Sequence, residues 1–211
     1  PIAMETLYRL YPLEGITPAT EIAKEYYLSE ITKKKDLVIL NNLATVYERE
    51  NNFELAEKYY LLALEIDSAQ NSSTIISTEA LQITNVHRAA SCNLAKLYTK
   101  FNKYELAEKY YLLSISKGNT EALHDLGLFY NYIIKNNKLA EEYYLKAIEN
   151  NIHVSMLKLG ILYYKEGNTE LSKKYLIRAI ENGCTLAANE LAFICKEEGN
   201  IEFTKKYYSI S

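Results

Sequence analysis

A small side chain recurs along this chain at nearly constant intervals. Ala23, Ala56, Ala107, Ala140, Ser172 and Thr204 are separated by 33, 51, 33, 32 and 32 residues. Around them stand AKEYY, AEKYY, AEKYY, AEEYY, SKKYL and TKKYY, and the nine residues ELAEKYYLL occur identically at 54–62 and 105–113. The duplicated stretch offers a carboxylate pair, a lysine and two phenols but no partner for chemistry, so it reads as a building unit and not as a repeated active site. A period in the range of about 20 to 50 residues marks stacked supersecondary units, none of which can bury its apolar face alone.

Within each unit the small residue is followed by larger ones at +3, +4 and +7, as in Ala56, Tyr59, Tyr60 and Ala63, which is one stripe of a helix. A small anchor lets a second helix approach closely. The adjacent tyrosines are expected to fan apart, one toward the partner helix and one toward the neighbouring unit, and they read as packing residues in preference to a ladder for stacking bases or sugars. Upstream of each anchor runs a second apolar stripe, for example Leu40, Leu43, Ala44 and Tyr47, or Met156, Leu159, Gly160 and Tyr163.

Between the two stripes come Asn51-Asn52, Asn102, Asn136-Asn137, Gly167-Asn168 and Gly199-Asn200, residues suited to the left-handed conformations of a tight turn. Gly118 and Gly183 fall where second helices end, and Gly127 and Gly160 take the small position where two helices touch. All three prolines lie in the first 18 residues, and Thr17-Pro18 reads as an N-cap with proline in the first turn. The unit is a helical hairpin. The chain is therefore expected to be all-α, a right-handed α-solenoid of stacked antiparallel helix hairpins.

The spacing of L-G/A-x-x-Y, then a small residue, then an aromatic and Ala, resembles the tetratricopeptide repeat family and its Sel1-like relatives over residues 37–211. The stretch LNNLATVYERENNFELAEKYYLLALEI, 40–66, is similar to an ordinary tetratricopeptide unit, and LKLGILYYKEGNTELSKKYLIRAIENG, 157–183, to a Sel1-like one. Five hairpins are expected at 37–67, 74–118, 120–151, 153–183 and 185–211. Residues 1–36 form an N-terminal segment with a degenerate first repeat, its first helix cut short by Pro12. The long interval between Ala56 and Ala107 begins with the polar SAQNSS and continues into a lengthened first helix. It reads as an elongated repeat or, alternatively, as a partner-binding flap.

Among 211 residues, 24 are basic and 27 acidic, giving a net charge of −3. Both signs are mixed along the chain, so no broad field draws it to nucleic acid or an anionic membrane. The run Lys33-Lys34-Lys35 sits where a helix is expected to end, favourably placed against the negative end of the helix dipole. Cys92, Cys184 and Cys195 are odd in number and lack ligand spacing, which argues against a disulfide framework and a zinc site and for a reducing, cytoplasmic setting. No apolar run long enough to span a membrane and no secretory leader is seen, and Pro1-Ile2-Ala3 ahead of Met4 reads as a cloning remnant.

No phosphate loop, GxSxG elbow or HExxH pair occurs, and His87, His124 and His153 stand isolated. Catalysis, a metal and a cofactor are not expected. What such a scaffold offers is a concave wall lined by its first helices. Positions about 130° from the core stripe give a candidate peptide-binding wall: Asn41 and Thr45; Cys92 and Lys96; His124 and Leu128; Leu157, Ile161 and Tyr164; Asn189 and Phe193. The wall is polar early and apolar late, which suits a peptide with an apolar portion.

The resemblance implies a non-enzymatic adaptor that binds a segment of a protein partner. A self-associating structural protein is the alternative, with Phe203 and Tyr207, four apart on the last helix, as the candidate contact of a homodimer. An RNA-binding helical repeat is disfavoured by the acidic balance.

Overall fold

The computed structural model describes residues 18–33, 36–65 and 78–210, and every regular element among them is helical. The helices are α1 (Pro18–Lys33), α2 (Leu37–Arg49), α3 (Phe53–Glu65), α4 (Thr78–Lys100), α5 (Tyr104–Ser116), α6 (Glu121–Leu128), α7 (Asn137–Glu149), α8 (Val154–Lys165), α9 (Thr169–Glu181), α10 (Leu186–Glu197) and α11 (Ile201–Tyr208). Helix α6 runs on into a π-helical turn over Phe129–Ile134.

The pairs α2/α3, α4/α5, α6/α7, α8/α9 and α10/α11 pack as helical hairpins. The chain divides into two compact units, one ending at Asn119 and the other starting at Thr120. The first helix is lengthened where the sequence predicts it, α4 having 23 residues. The expected polar loop at its start, the cap Thr17 and the segment around Pro12 lie outside the described residues.

Turn chemistry sets where each hairpin bends. Asn51, Asn102, Gly167 and Gly199 take positive φ, and the residue after each leads into the second helix. In the predicted pairs Asn51-Asn52, Gly167-Asn168 and Gly199-Asn200 only the first member is left-handed, and in Asn136-Asn137 neither is. The residue after the left-handed position caps the next helix: the side chains of Asn52, Asn136, Asn168 and Asn200 accept from the amides of Leu55, Leu139, Leu171 and Phe203, which would otherwise be orphan donors.

The anchors are where the hairpins close. Ala23, Ala56, Ala107, Ala140 and Ser172 are fully buried, whereas Thr204 is only half-buried. Across from them the first helix is equally constrained. A Cβ on Gly127 would stand 2.6 Å from the Tyr144 ring, and one on Gly160 would stand 2.8 Å from Cγ of Leu176. Both partners have no exposed surface, so they cannot swing aside.

The tyrosine pair divides its labour differently from the expected fan. Its second member turns into the hairpin, Tyr60 and Tyr144 being fully buried. Its first member lies against the tyrosine of its own first helix. Tyr47 with Tyr59, Tyr98 with Tyr110, and Tyr130 with Tyr143 have ring centroids 5.5 Å apart, and Tyr163 with Tyr175 5.6 Å. Such offset or tilted pairs add to the area they bury.

Within each compact unit, neighbouring hairpins are joined by the residue just after the anchor. Where it is glutamate, it accepts a hydrogen bond from the next first-helix tyrosine: Tyr98 donates to Glu57 at 2.7 Å and Tyr163 to Glu141 at 2.5 Å. Burial first, and these carboxylates second, push both phenols above their ordinary range. Where it is lysine, it pairs with a glutamate three residues beyond that tyrosine position, Lys24 with Glu50 at 2.9 Å and Lys173 with Glu198 at 2.5 Å.

One hairpin departs from the common length. The amides of Asn52, Lys103, Asn168 and Asn200 close the turn on the carbonyls of Tyr47, Tyr98, Tyr163 and Cys195, five residues back. In the α6/α7 hairpin the amide of Asn136 reaches Tyr130, six residues back. The extra residue is absorbed as the π turn, and it moves the left-handed position to Lys135, at φ 62°, instead of the asparagines the sequence suggests.

Two outcomes are expected. Gly127→Ala adds a methyl group against an immobile ring and lowers stability by about 1 to 3 kcal/mol, more than any helix-propensity gain returns, as read from denaturant unfolding. Deleting Ile134 restores the common spacing and shifts the thermal midpoint by less than about 3 °C, whereas deleting Glu166 from the regular α8/α9 turn lowers it by about 6 °C or more in circular dichroism melts.

Candidate functional site

In the α2/α3 hairpin the buried second-helix tyrosine reaches polar side chains of the first helix. Tyr60 crosses its hairpin completely, and its hydroxyl donates to Oε2 of Glu48 at 2.8 Å and lies 3.1 Å from Oγ1 of Thr45. Asn93 of α4 meets the same hydroxyl. Burial, reinforced by the Glu48 charge, holds the phenol neutral and far above its ordinary value. Tyr60 itself has no exposed surface, so its hydroxyl braces the half-exposed Thr45 and Glu48 from beneath.

Around it lie the expected wall residues of the first unit. Thr45 is half-buried and returns a hydrogen bond to the Asn41 carbonyl at 3.1 Å. Asn41 is half-buried too, with its Oδ1 closed off and unbonded. Lys96 is exposed. Cys92 is only 6% exposed and is corrected from wall to packing, on a helix that packs against α2, α3 and α5.

In the second unit the expected wall residues separate in the same way. Leu157 is corrected to the core. It sits with Met156, Leu176, Leu191 and Ile194 in one cluster drawn from α8, α9 and α10, because the next hairpin lies over it. Ile161 and Tyr164 pack on the edge of that cluster and remain half-exposed. Phe193, 45% exposed, meets the Tyr164 ring edge-on at 6.1 Å, so two neighbouring first helices share an aromatic pair open to solvent. Asn189, one turn earlier on α10, is exposed.

His124 and Leu128 of α6 are half-buried. Nδ1 of His124 lies 2.8 Å from the buried Ser155 hydroxyl, and its ring is 6.0 Å from that of Tyr144. The imidazole is held as a strut between α6 and α8.

At the last helix Phe203 is exposed and stacks on Tyr207 at 6.2 Å. Tyr207 is half-buried against the α8–α10 cluster. On a different face of α11 an open hollow of about 330 Å³ is lined by Lys196, Ile201, Thr204 and Tyr208 among others.

The first-helix faces differ from hairpin to hairpin. Thr45 and Glu48 stand over Tyr60, whereas Ile161 and Tyr164 stand on the helix that packs against Leu176. Among the described residues no group of three or more His, Cys, Asp or Glu side chains is placed to hold a metal ion, and no helix is long and apolar enough to cross a membrane.

The sequence model of the tetratricopeptide repeat matches residues 37–70, 89–116 and 154–182. No curated protein sequence matches the chain significantly. Among solved structures it is similar to the C-terminal part of a TPR repeat-containing protein from Cytophaga hutchinsonii, with TM-score 0.69 and 17% identity over 99% of this chain and 76% of that one. It is similar to YrrB, described as a TPR protein with an unusual peptide-binding site, with TM-score 0.57 and 20% identity over 89% and 91%. BtubC from P. vanneervenii gives TM-score 0.64 and 17% identity over 91% and 88%. At such identities these likenesses show the shared fold. With the repeat matched in three places and its hairpin recurring through the described chain, this protein belongs to the tetratricopeptide-repeat family.

Proposed function

We propose that the protein is a non-enzymatic adaptor whose first-helix faces hold a peptide segment of a partner protein. The observation that carries this is the Tyr164–Phe193 pair, an aromatic contact between neighbouring first helices whose outer ring stays 45% exposed and has Ile161 beside it. An apolar side chain of a peptide is the natural cover for such a surface. On α2 the half-exposed Thr45 and Glu48, braced by the buried Tyr60 hydroxyl, offer polar groups of the kind that orient a peptide backbone. Membership of a family that serves as protein-interaction scaffolds supports the reading, and so does the peptide-binding site named for YrrB. All three cysteines are free thiols, which suits a reducing compartment such as the cytoplasm.

The test is selection of random displayed peptides on the full chain, followed by titration of those recovered. Ile161→Ser with Phe193→Ser leaves helical circular dichroism intact and weakens binding at least tenfold, about the 1.5 to 3 kcal/mol of one buried large side chain. Leu157→Ser, in the core, instead lowers stability. Peptides that bind wild type and double variant equally would sink the reading.

Self-association is a second reading, favoured by α11, which buries none of its residues and exposes Ile201, Phe203 and Tyr208. Sedimentation should then show a dimer in the wild type that Phe203→Glu dissociates. A wild type that is monomeric at high concentration excludes it.

A further inference from the structure

The π turn does more than absorb a residue. It changes what the end of a first helix shows to solvent. In the regular hairpins the three residues between the tyrosine position and the left-handed turn are Glu48-Arg49-Glu50, Thr99-Lys100-Phe101, Tyr164-Lys165-Glu166 and Lys196-Glu197-Glu198, each with at least one charge. In the α6/α7 hairpin there are four, Asn131-Tyr132-Ile133-Ile134, and none is charged. Asn131 turns inward and is buried, while Tyr132, Ile133 and Ile134 remain 40%, 39% and 40% exposed. Three consecutive large apolar side chains therefore stand at a hairpin tip, where the other hairpins place charge.

Cations surround them. Lys135 holds the left-handed turn, Lys138 lies in the first turn of α7, and Nζ of Lys165 sits 5.4 Å from the centre of the Tyr132 ring. All three are exposed, and none is within ion-pair distance of a carboxylate among the described residues. Elsewhere on the same helix Lys146 is bonded to Glu142 at 2.6 Å, so acidic side chains are not lacking in this unit; Glu142 and Glu166, close in sequence to Lys138 and Lys165, do not pair with them. An apolar knob ringed by uncompensated positive charge is complementary to apolar groups accompanied by carboxylates.

We infer that this tip is a second docking point, independent of the first-helix wall, for a partner segment that carries Asp or Glu beside a large apolar side chain. A short segment fits better than a lipid surface. It meets only the knob and its three lysines, whereas an extended anionic plane would also face the excess of carboxylates that gives the chain its net charge of −3.

The experiment uses the full chain with a display library of random 12-residue peptides, and separately with vesicles of phosphatidylserine and phosphatidylcholine. Peptides retained by the wild type but lost with Ile133→Ser and Ile134→Ser are expected to carry Asp or Glu next to an aromatic or large aliphatic residue. Lys135→Glu with Lys165→Glu should weaken them at least tenfold and should favour the same peptides with their acidic residues changed to lysine. Ile161→Ser with Phe193→Ser should leave this binding unchanged. All the substituted side chains at the tip are exposed, so helical circular dichroism is retained. The inference is overturned if no tip-dependent peptides emerge, if those that emerge are basic or uncharged, or if the tip variants lose vesicle binding and nothing else.

Discussion

Close approach of two helices at one small residue per hairpin is the contact on which the remaining packing rests. With no side chain at Gly127 or Gly160, the ring of Tyr144 and the isobutyl group of Leu176 can occupy the space beside the first-helix backbone. That contact brings the first-helix tyrosine into stacking distance of the second helix and fixes which residues can look outward. The tyrosines are so numerous because each hairpin uses up to three of them: one on the first helix, one stacked on it, and one buried inside the hairpin. The ring distance of about 5.5 Å recurs while the interplanar angle runs from 5° to 32°, so the spacing is fixed and the tilt is not.

Much of this was legible in the residues. The anchors, the helical stripes, the small positions at Gly127 and Gly160 and the lengthened first helix all follow from local periodicity, which a single chain carries. The wall was less legible, because an angular offset on one helix takes no account of what the neighbouring hairpin covers. Leu157 and Cys92 lie at the same helical offset as Phe193 and Lys96, yet they are buried where other helices close over them. The π turn did leave a signal. Tyr130 and Ala140 are ten residues apart where the equivalent pairs are nine apart, a difference hidden when units are aligned on their anchors alone.

The two faces of the protein answer to different constraints. On the inside of each hairpin every position is decided by volume, and substitution is felt at the level of a methyl group. At the first-helix faces and the turn tips, packing leaves the side chain undetermined, so whatever stands there reflects solubility or contact with something else. Phe193 and the Tyr132-Ile133-Ile134 tip are positions where apolar groups stand without any packing demand that requires them.

The link between hairpins has a consequence for how such a chain can grow. A hairpin whose anchor is followed by glutamate needs a hydroxyl on the next first helix, as Tyr98 and Tyr163 supply, while one whose anchor is followed by lysine needs a carboxylate three residues further on, as Glu50 and Glu198 supply. Each unit thus carries both a plug and a socket. The hairpin that begins with α2 holds Tyr47 and Glu50 and could follow either kind of predecessor, but the one that begins with α10 has Cys195 in place of the tyrosine and only the carboxylate to offer. Placed behind a glutamate it would set like charges together and leave the acceptor without its hydroxyl. Units copied or lost during evolution are therefore not freely shuffled. The order of these hairpins is recorded in the polar residues at their borders, even where, as in the twice-written ELAEKYYLL, the units themselves look the same.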